Sequence, residues 1–209
     1  MSSTSVIIRN FGLVPYEPIY QKMQNFTCKR HSAILDEIWI LQHLPVYTLG
    51  QAGQTKHLVN TGNIPVYDID RGGQVTYHGP GQLIVYLLMD IKRNKWGVKQ
   101  FVHKLEQTVI DYLANQEIVG ERRLNAPGIY VNECKIAALG FKIHRGCTYH
   151  GLSLNVNMDL TPFKGINPCG CEGLQVTQLR DLGIVENVSQ VIVRYLPYLL
   201  NQFNLRAVS

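Results

Sequence analysis

The stretch Leu83-Ile84-Val85-Tyr86-Leu87-Leu88-Met89 is the longest continuous apolar run in this chain. It is far too short for a helix that crosses a bilayer, which needs about 20 residues. An apolar run without alternating polar residues is typical of a β-strand that is buried on both faces. We therefore predict a central strand over residues 83–90, with other elements covering both of its sides.

Periodicity in the rest of the chain predicts more strands than helices. Because the strands cluster and no composition shift marks a boundary, we expect one α+β domain over residues 1–209, with helices against a mixed sheet. Further strands are predicted over residues 6–11, 36–42, 46–49, 65–70, 74–78, 128–132, 135–143 and 148–157. Helices are predicted over residues 16–29, 98–115 and 188–203, the last bent or broken at Pro197.

The bulk properties narrow the possible compartments and partners. The N-terminus lacks the basic and apolar regions of a signal peptide, so we expect a cytoplasmic protein without a membrane segment. Five cysteines cannot all pair within one chain, and free thiols are expected in a reducing compartment. A net charge of +5 favours encounter with an acidic protein. Long Lys/Arg runs are absent from the sequence, which argues against nucleic-acid binding.

A glycine-rich segment, Arg71-Gly72-Gly73-Gln74-Val75-Thr76-Tyr77-His78-Gly79-Pro80-Gly81-Gln82, precedes the central strand. If residues 74–78 form a strand, a polar face could line a site while an apolar face packs. The glycines on both sides would let backbone approach a ligand closely. The alternative is a glycine-rich turn region with one hydrogen-bonded histidine. The polar face would carry Gln74, Thr76 and His78, and the apolar face Val75 and Tyr77.

The predicted strand over residues 135–143 begins with Lys135. Strict alternation places this lysine on the same face as Ala137, Leu139 and Phe141, where it would be partly desolvated unless it reaches water. Ala138 and Gly140 leave room for a ligand to lie against the backbone. The alternative is an ordinary edge-strand lysine over a core of small residues.

The next predicted strand alternates between a polar and an apolar row. The polar row could contact a substrate, or it could be the solvated face of an antiparallel strand. The polar row contains Gly151, Ser153, Asn155 and Asn157, and the apolar row contains Leu152, Leu154 and Val156.

Cys169 lies in a Pro- and Gly-rich loop, between Pro168 and Gly170. Structural cysteines usually occur inside apolar periodic segments, whereas functional residues concentrate in loops. The thiolate is the reactive form of cysteine, and a nearby cation such as Lys135 would favour it. The alternative is an inert loop cysteine. Cys-x-x-Cys pairs and a Gly-x-Ser-x-Gly elbow are missing from the sequence, which argues against a zinc site and a serine triad.

Four blocks of the sequence together resemble the octanoyltransferases of lipoate synthesis, the lipoyl(octanoyl) transferase family. The similarity covers nearly the whole length, and the second block is the most specific. The blocks are residues 36–50, the Arg71 to Gln82 segment, residues 135–140 and Ile166-Asn167-Pro168-Cys169-Gly170.

The resemblance implies a fold, a reaction and a set of site residues. The fold would be that of the catalytic domains of lipoate ligases and biotin protein ligases. The reaction would transfer octanoyl from octanoyl-acyl carrier protein to a lysine of lipoyl domains in 2-oxoacid dehydrogenase complexes and of glycine cleavage H protein, without a cofactor or metal. The acylated cysteine maps onto Cys169 and its paired lysine onto Lys135. Substrate-binding residues map onto Arg71, Gly72, Gly73, Gln74, Val75, Thr76, Tyr77, His78, Ala138, Leu139, Gly140, Gly151, Leu152 and Ser153.

Two other functions remain as alternatives. An ATP-dependent lipoate- or octanoate-protein ligase could share the fold, although an adenylate route needs no cysteine nucleophile. A non-catalytic binding module could also keep the fold, but it would not need both Lys135 and Cys169. Cys171 does not match the family pattern, and we expect it to be a bystander.

Overall fold

The apolar run forms a fully buried strand, Gln82–Leu88, inside an eight-stranded sheet. The computed structural model describes residues 3–124 and 126–208. Over these residues the strands are β1 (Thr4–Val14), β2 (Asp36–His43), β3 (Val46–Leu49), β4 (Val66–Asp68), β5 (Val75–His78), β6 (Gln82–Leu88), β7 (Glu121–Arg123), β8 (Ala126–Val131), β9 (Cys134–His144), β10 (Cys147–Asn155) and β11 (Leu205–Val208). The helices are α1 (Tyr16–Lys29), α2 (Val98–Ala114) and α3 (Val188–Gln202).

The large sheet has the strand order β11-β1-β2-β6-β10-β9-β8-β7. Strand β1 runs parallel to β11 and β2, and the other neighbours in this sheet are antiparallel. A smaller sheet has the order β4-β3-β5. The predicted α+β fold with a mixed, mostly antiparallel sheet is therefore confirmed.

Both faces of the large sheet are covered. Helices α2 and α3 pack on one face, where Leu105 and Val191 share a core with Val85. Helix α1 packs on the other face, where Met23 contacts a cluster that includes Tyr86. The small sheet lies on the same side as α1. Covering on both sides explains why β6 has no alternating polar positions.

The structure differs from the sequence prediction mainly at the chain's shortest elements. Strands β7 and β11 were not predicted, because β7 consists of charged residues without an apolar alternation and β11 begins two residues after the predicted end of the last helix. Helix α3 is not broken at Pro197. Its buried stripe and the capping box formed by Asn187 and Gln190 support a continuous helix. Among the described residues, no helix is long and apolar enough to cross a membrane.

A buried carboxylate fixes the loop that follows β6. Asp36 is fully buried and forms ion pairs with Arg30 and Arg93. It also accepts hydrogen bonds from the side chain of Asn94 and the backbone N–H of Asp90. Four donors converge on this one carboxylate, and they hold residues 90–94 against the start of β2.

Candidate active site

A cavity of about 450 Å³ lies between the large sheet and the small sheet. Its walls come from β5, β9, β10, the loop before β5 and the turn that carries Cys169. All predicted site residues except Tyr77 line it, namely Arg71, Gly72, Gly73, Gln74, Val75, Thr76, His78, Lys135, Ala138, Leu139, Gly140, Gly151, Leu152, Ser153 and Cys169.

Tyr77 is the predicted site residue that does not line the cavity. Its ring packs against Tyr47 and Phe163, in the core between the small sheet and the following loop. The alternation of β5 explains this placement, since Thr76 and His78 point to the other side. The ring thus supports β5 from behind, and the substrate-binding role that the resemblance implies for Tyr77 stays a prediction.

Lys135 and Cys169 meet at the cavity wall. The Nζ atom of Lys135 donates a hydrogen bond to Sγ of Cys169 over 2.8 Å and another to the carbonyl of Pro127 over 3.1 Å. Nζ also lies 5.1 Å from the ring centroid of Tyr130. Lys135 is only 4% exposed, so the interaction with sulfur takes place away from bulk water.

The pKa of Lys135 is raised even though burial alone lowers it. The opposing causes are the negative charge of the Cys169 sulfur and the hydrogen bond to it, with smaller effects from Tyr130. The side chain is therefore an ammonium group over the physiological range. An ammonium group at hydrogen-bond distance stabilises a thiolate.

A β-bulge puts Lys135 on the cavity side, which corrects the face assignment made from sequence. Ile129 lies opposite Ala137, but Tyr130 lies opposite Lys135, so β9 carries one extra residue there. Beyond the bulge Ala137 belongs to the core shared with α2, and Leu139 and Phe141 are partly buried residues that pack against this core and also line the cavity. Strict alternation placed all three on the lysine's face, and a bulge cannot be seen in the residue period.

The turn that carries Cys169 is joined to β9 through the backbone. Lys135 donates its N–H to the carbonyl of Gln175, and its carbonyl accepts from the N–H of Thr177. Cys169 has a left-handed conformation with φ of 57°, followed by Gly170 with φ of 76°. This conformation is uncommon outside glycine and is often found at functional sites.

Polar side chains connect β5, β6 and β10 beneath the cavity. Nδ1 of His78 lies 2.7 Å from Oε1 of Gln82, whose Nε2 donates to Oδ1 of Asn155 over 2.8 Å. Asn155 in turn donates to the carbonyl of Thr177. Because Gln82 offers an oxygen, His78 donates from Nδ1. Burial, together with nearby His43, lowers the pKa of His78 to about 3, so the ring is neutral.

Asn155 and Ser153 are both buried, so their strand face is not the solvated face that the sequence left open. Sequence reasoning did not identify Gln82 as a partner of His78. No sequence signal pairs Gln82 with Asn155, which lies 73 positions away.

Arg71 is a buried part of the cavity wall. Its guanidinium donates to the carbonyl and hydroxyl of Thr48 and to the carbonyl of Gly72. Among the described residues it has no carboxylate partner. A Cβ atom added to Gly140 would lie 3.0 Å from Cδ of Arg71, so glycine is what lets the arginine stem cross β9.

The sequence did not identify several other residues of the cavity wall. They come from α1, α2, β6, β8, β9, β10 and loops, and no common sequence signal links them, because only the fold brings them together. They are Tyr16, Ile69, Tyr86, Val102, Ala126, Pro127, Phe141, His150 and Cys171. In residues 3–124 and 126–208, no group of three His, Cys, Asp or Glu side chains has a metal-binding arrangement.

The fold is similar to that of solved lipoate-protein ligase and biotin protein ligase structures. A lipoate-protein ligase A structure bound with ATP has a TM-score of 0.75 at 13% identity and covers 100% of this chain and 90% of that chain. The biotin protein ligase of Aquifex aeolicus in complex with biotin and ATP has a TM-score of 0.59 at 16% identity, covering 94% and 70%. At these identities the likeness concerns the fold alone.

Sequence comparison gives the family. The model of the lipoyl protein ligase A/B catalytic domain matches residues 19–197. An octanoyltransferase of Thiobacillus denitrificans is 53% identical over 186 residues, which cover 89% of this chain and 85% of the relative. The chain belongs to the lipoyl protein ligase A/B catalytic domain family, and within it to the octanoyltransferases, which are acyltransferases.

Proposed function

We propose that the protein transfers an octanoyl group from octanoyl-acyl carrier protein to a specific lysine of lipoyl domains, through a thioester on Cys169. The observation that carries this proposal is the 2.8 Å contact between Nζ of Lys135 and Sγ of Cys169 at the cavity wall. The name of the 53% identical relative supports the octanoyl group. The acceptors are lipoyl domains of 2-oxoacid dehydrogenase complexes and the glycine cleavage H protein.

The first step makes the acyl-enzyme. The thiolate of Cys169 attacks the carbonyl carbon of the donor thioester, a new C–S bond forms, and the bond to the carrier's thiol breaks. The leaving sulfur takes a proton, which the ammonium group of Lys135 can supply. One thioester replaces another, so the step is nearly balanced in free energy.

The second step forms the amide. The neutral amine of the acceptor lysine attacks the carbonyl carbon of the Cys169 thioester, and the C–S bond breaks. The proton released by the amine passes to Lys135, if it was left neutral by the first step, and the pair returns to its starting state. An amide is more stable than a thioester, so this step needs no ATP.

Negative charge develops on the carbonyl oxygen in both steps and requires donors. We assign this role to the Nζ group of Lys135, with backbone N–H groups near Leu139 and Gly140 as further candidates. Arg71 to Thr76, His78, Ala138 to Gly140 and Gly151 to Ser153 surround the space available to the acyl chain. Each buried methylene contributes about 0.8 kcal/mol, so the six of an octanoyl chain contribute roughly 5 kcal/mol.

The test is the intact mass of the protein after mixing with octanoyl-acyl carrier protein, with and without an acceptor lipoyl domain. We expect an octanoyl adduct that maps to Cys169 and disappears when the acceptor is added. Absence of the adduct, while the acceptor becomes octanoylated, would contradict the thioester route. An arm with free octanoate, ATP and acceptor tests the ligase alternative, for which we expect no transfer.

A further inference from the structure

Two segments of the chain carry positive charge without any acidic residue. Residues 91–104 and 139–146 contain 7 of the 20 Lys and Arg residues and none of the 15 Asp and Glu residues. This local excess is larger than the net charge of +5 of the whole chain. The basic residues are Lys92, Arg93, Lys95, Lys99, Lys104, Lys142 and Arg145.

The fold packs these two segments together. The backbone N–H of Ile91 donates to the carbonyl of Gly146, and the stem of Lys92 lies where a Cβ atom of Gly146 would be. The rings of Phe101 and Phe141 are in contact, with centroids 5.4 Å apart. The charges therefore form one surface around the turn between β9 and β10 and the start of α2.

Six of the seven cations have no carboxylate partner among the described residues. Arg93 forms an ion pair with Asp36, and Lys104 donates a hydrogen bond to the carbonyl of Gln202. The first turn of α2 has no acidic residue, so its N-terminal dipole adds to the positive potential. We name the remaining five the basic patch: Lys92, Lys95, Lys99 and Arg145, which are exposed, and Lys142, which is half-buried.

The basic patch lies beside the cavity. Lys99 is one helical turn before Val102, and Lys142 directly follows Phe141, and both Val102 and Phe141 line the cavity. Strand β8 pairs only with the first part of β9, as far as Ala137, so β8 does not cover β9 next to the patch. A partner held on the patch would thus have direct access to the space that leads to Cys169.

We propose that the basic patch is the docking surface for the acidic carrier protein that delivers the acyl thioester. This inference rests on the proposed function and adds a partner surface to it. Unpaired cations around a cleft raise the association rate of an acidic protein and orient it. The carrier's flexible arm, with its phosphate group, would then enter the cavity beside the patch. A compact patch of five charges at a cleft suits a small protein better than the extended track that nucleic acid needs.

The experiment compares two donors on two charge-reversal variants. The variant is Lys99→Glu/Arg145→Glu, and the control is Arg206→Glu on β11. That exposed residue lies at the other edge of the large sheet, five strand spacings or about 24 Å from β9. The donors are octanoyl-acyl carrier protein and octanoyl-pantetheine, which has the same thioester but no protein. The rate of acyl-enzyme formation is measured at low salt and at about 0.5 M salt.

We expect kcat/KM for the carrier-bound donor to fall about tenfold or more in the double variant at low salt, and the difference to shrink at high salt. Octanoyl-pantetheine should react equally with the parent protein and both variants, and Arg206→Glu should behave as the parent. The substitution Lys99→Glu introduces an acidic residue in the first turn of α2, where negative charge is favourable, so folding should be kept.

Unchanged use of the carrier-bound donor by the double variant would overturn the docking proposal while leaving the proposed function intact. Equal losses with both donors would overturn it too, because the defect would then lie in the site itself. A loss confined to discharge of the acyl-enzyme onto the acceptor domain would also overturn the docking proposal. The same holds for a variant that loses binding to duplex DNA while its acyl transfer is unchanged. Failure of the parent protein to form any adduct would instead reject the function. Should the double variant not fold, Lys95→Gln/Lys99→Gln provides the same comparison by charge removal.

Discussion

The Nζ atom of Lys135 and the Sγ atom of Cys169 are hydrogen-bonded at 2.8 Å, although 34 positions separate the two residues. One lies on the bulged start of β9 and the other on a left-handed turn residue. The backbone pairing of Lys135 with Gln175 and Thr177 holds the turn's following segment against β9. Lys135 therefore has two roles. Its side chain provides the cation beside Cys169, and its backbone belongs to the strand that holds the loop.

Replacing the nucleophile tests the choice of sulfur. We expect Cys169→Ala to abolish both transfer and the octanoyl adduct, because it removes the sulfur that is hydrogen-bonded to Nζ of Lys135. Cys171→Ala is the matched control, and it should keep nearly normal turnover. Cys171 is exposed, and among the described residues the one hydrogen bond of its sulfur is a weak one to the Cys169 carbonyl over 3.9 Å. A loss as deep in Cys171→Ala as in Cys169→Ala would show that the wrong sulfur was chosen.

Removing the cation tests the ion-pair argument. In Lys135→Ala we expect slower acylation and a pH profile of Cys169 alkylation that moves to higher pH, because the thiolate loses its ammonium partner. The raised pKa of Lys135 means that this stabilisation is present at neutral pH and is lost only as the pH rises through the lysine's own titration. Iodoacetamide labelling as a function of pH measures the profile, and an unchanged profile would count against the pair.

A substitution at Gly140, in the cavity wall, tests acyl binding. Gly140→Ala places a methyl group 3.0 Å from Cδ of Arg71, whose guanidinium is fixed by hydrogen bonds to Thr48. Overpacking of this kind typically destabilises the fold by about 1–3 kcal/mol. The added methyl group, or the arginine stem that it displaces, also takes space from the cavity, so octanoyl-enzyme formation should fall severalfold. Gly97→Ala adds a methyl group in open space and should have no effect. Equal rates for the two variants would show that the chain does not pass over Gly140.

Buried histidines predict a loss of stability in mild acid. Burial lowers the pKa of His78 to about 3 and that of His43 to about 4, so both rings stay neutral when folded. The unfolded chain takes up these protons below about pH 6.5. Stability is therefore complete above that pH and falls as the pH drops toward the folded values. Between pH 7.5 and 5 the loss is about 2 kcal/mol for each histidine.

Urea unfolding at pH 7.5 and 5.0 measures this loss. The variant His78→Gln removes one of the two titrating rings, so its free energy of unfolding should depend less steeply on pH than that of the parent protein. Carboxylates contribute equally in both proteins and cancel in the comparison. The same pH dependence in both proteins would mean that His78 is charged in the folded state.

Much of the fold could be predicted from local patterns because the physics behind them is local. Helix α1 and strand β3 have the predicted bounds, since a 3.6-residue stripe and a short apolar segment are complete within their own sequence. Strands β7 and β11 were missed. The residues of β7 are all charged, and those of β11 closely follow the predicted last helix, so neither has an apolar pattern that separates it from its surroundings.

The candidate site shows which features could be predicted from the sequence and which could not. The sequence alone determines which functional groups are available and which motifs define the family. The groups are a cysteine on a Pro/Gly turn, a lysine at the start of a strand, and glycines where the backbone must approach another group closely. Only the tertiary structure decided that a bulge turns Lys135 toward Cys169, that Tyr77 packs behind the wall, and that five cations gather beside the cavity. Those outcomes depend on strand register and on packing between distant segments, and neither is encoded in the spacing of residues along one strand.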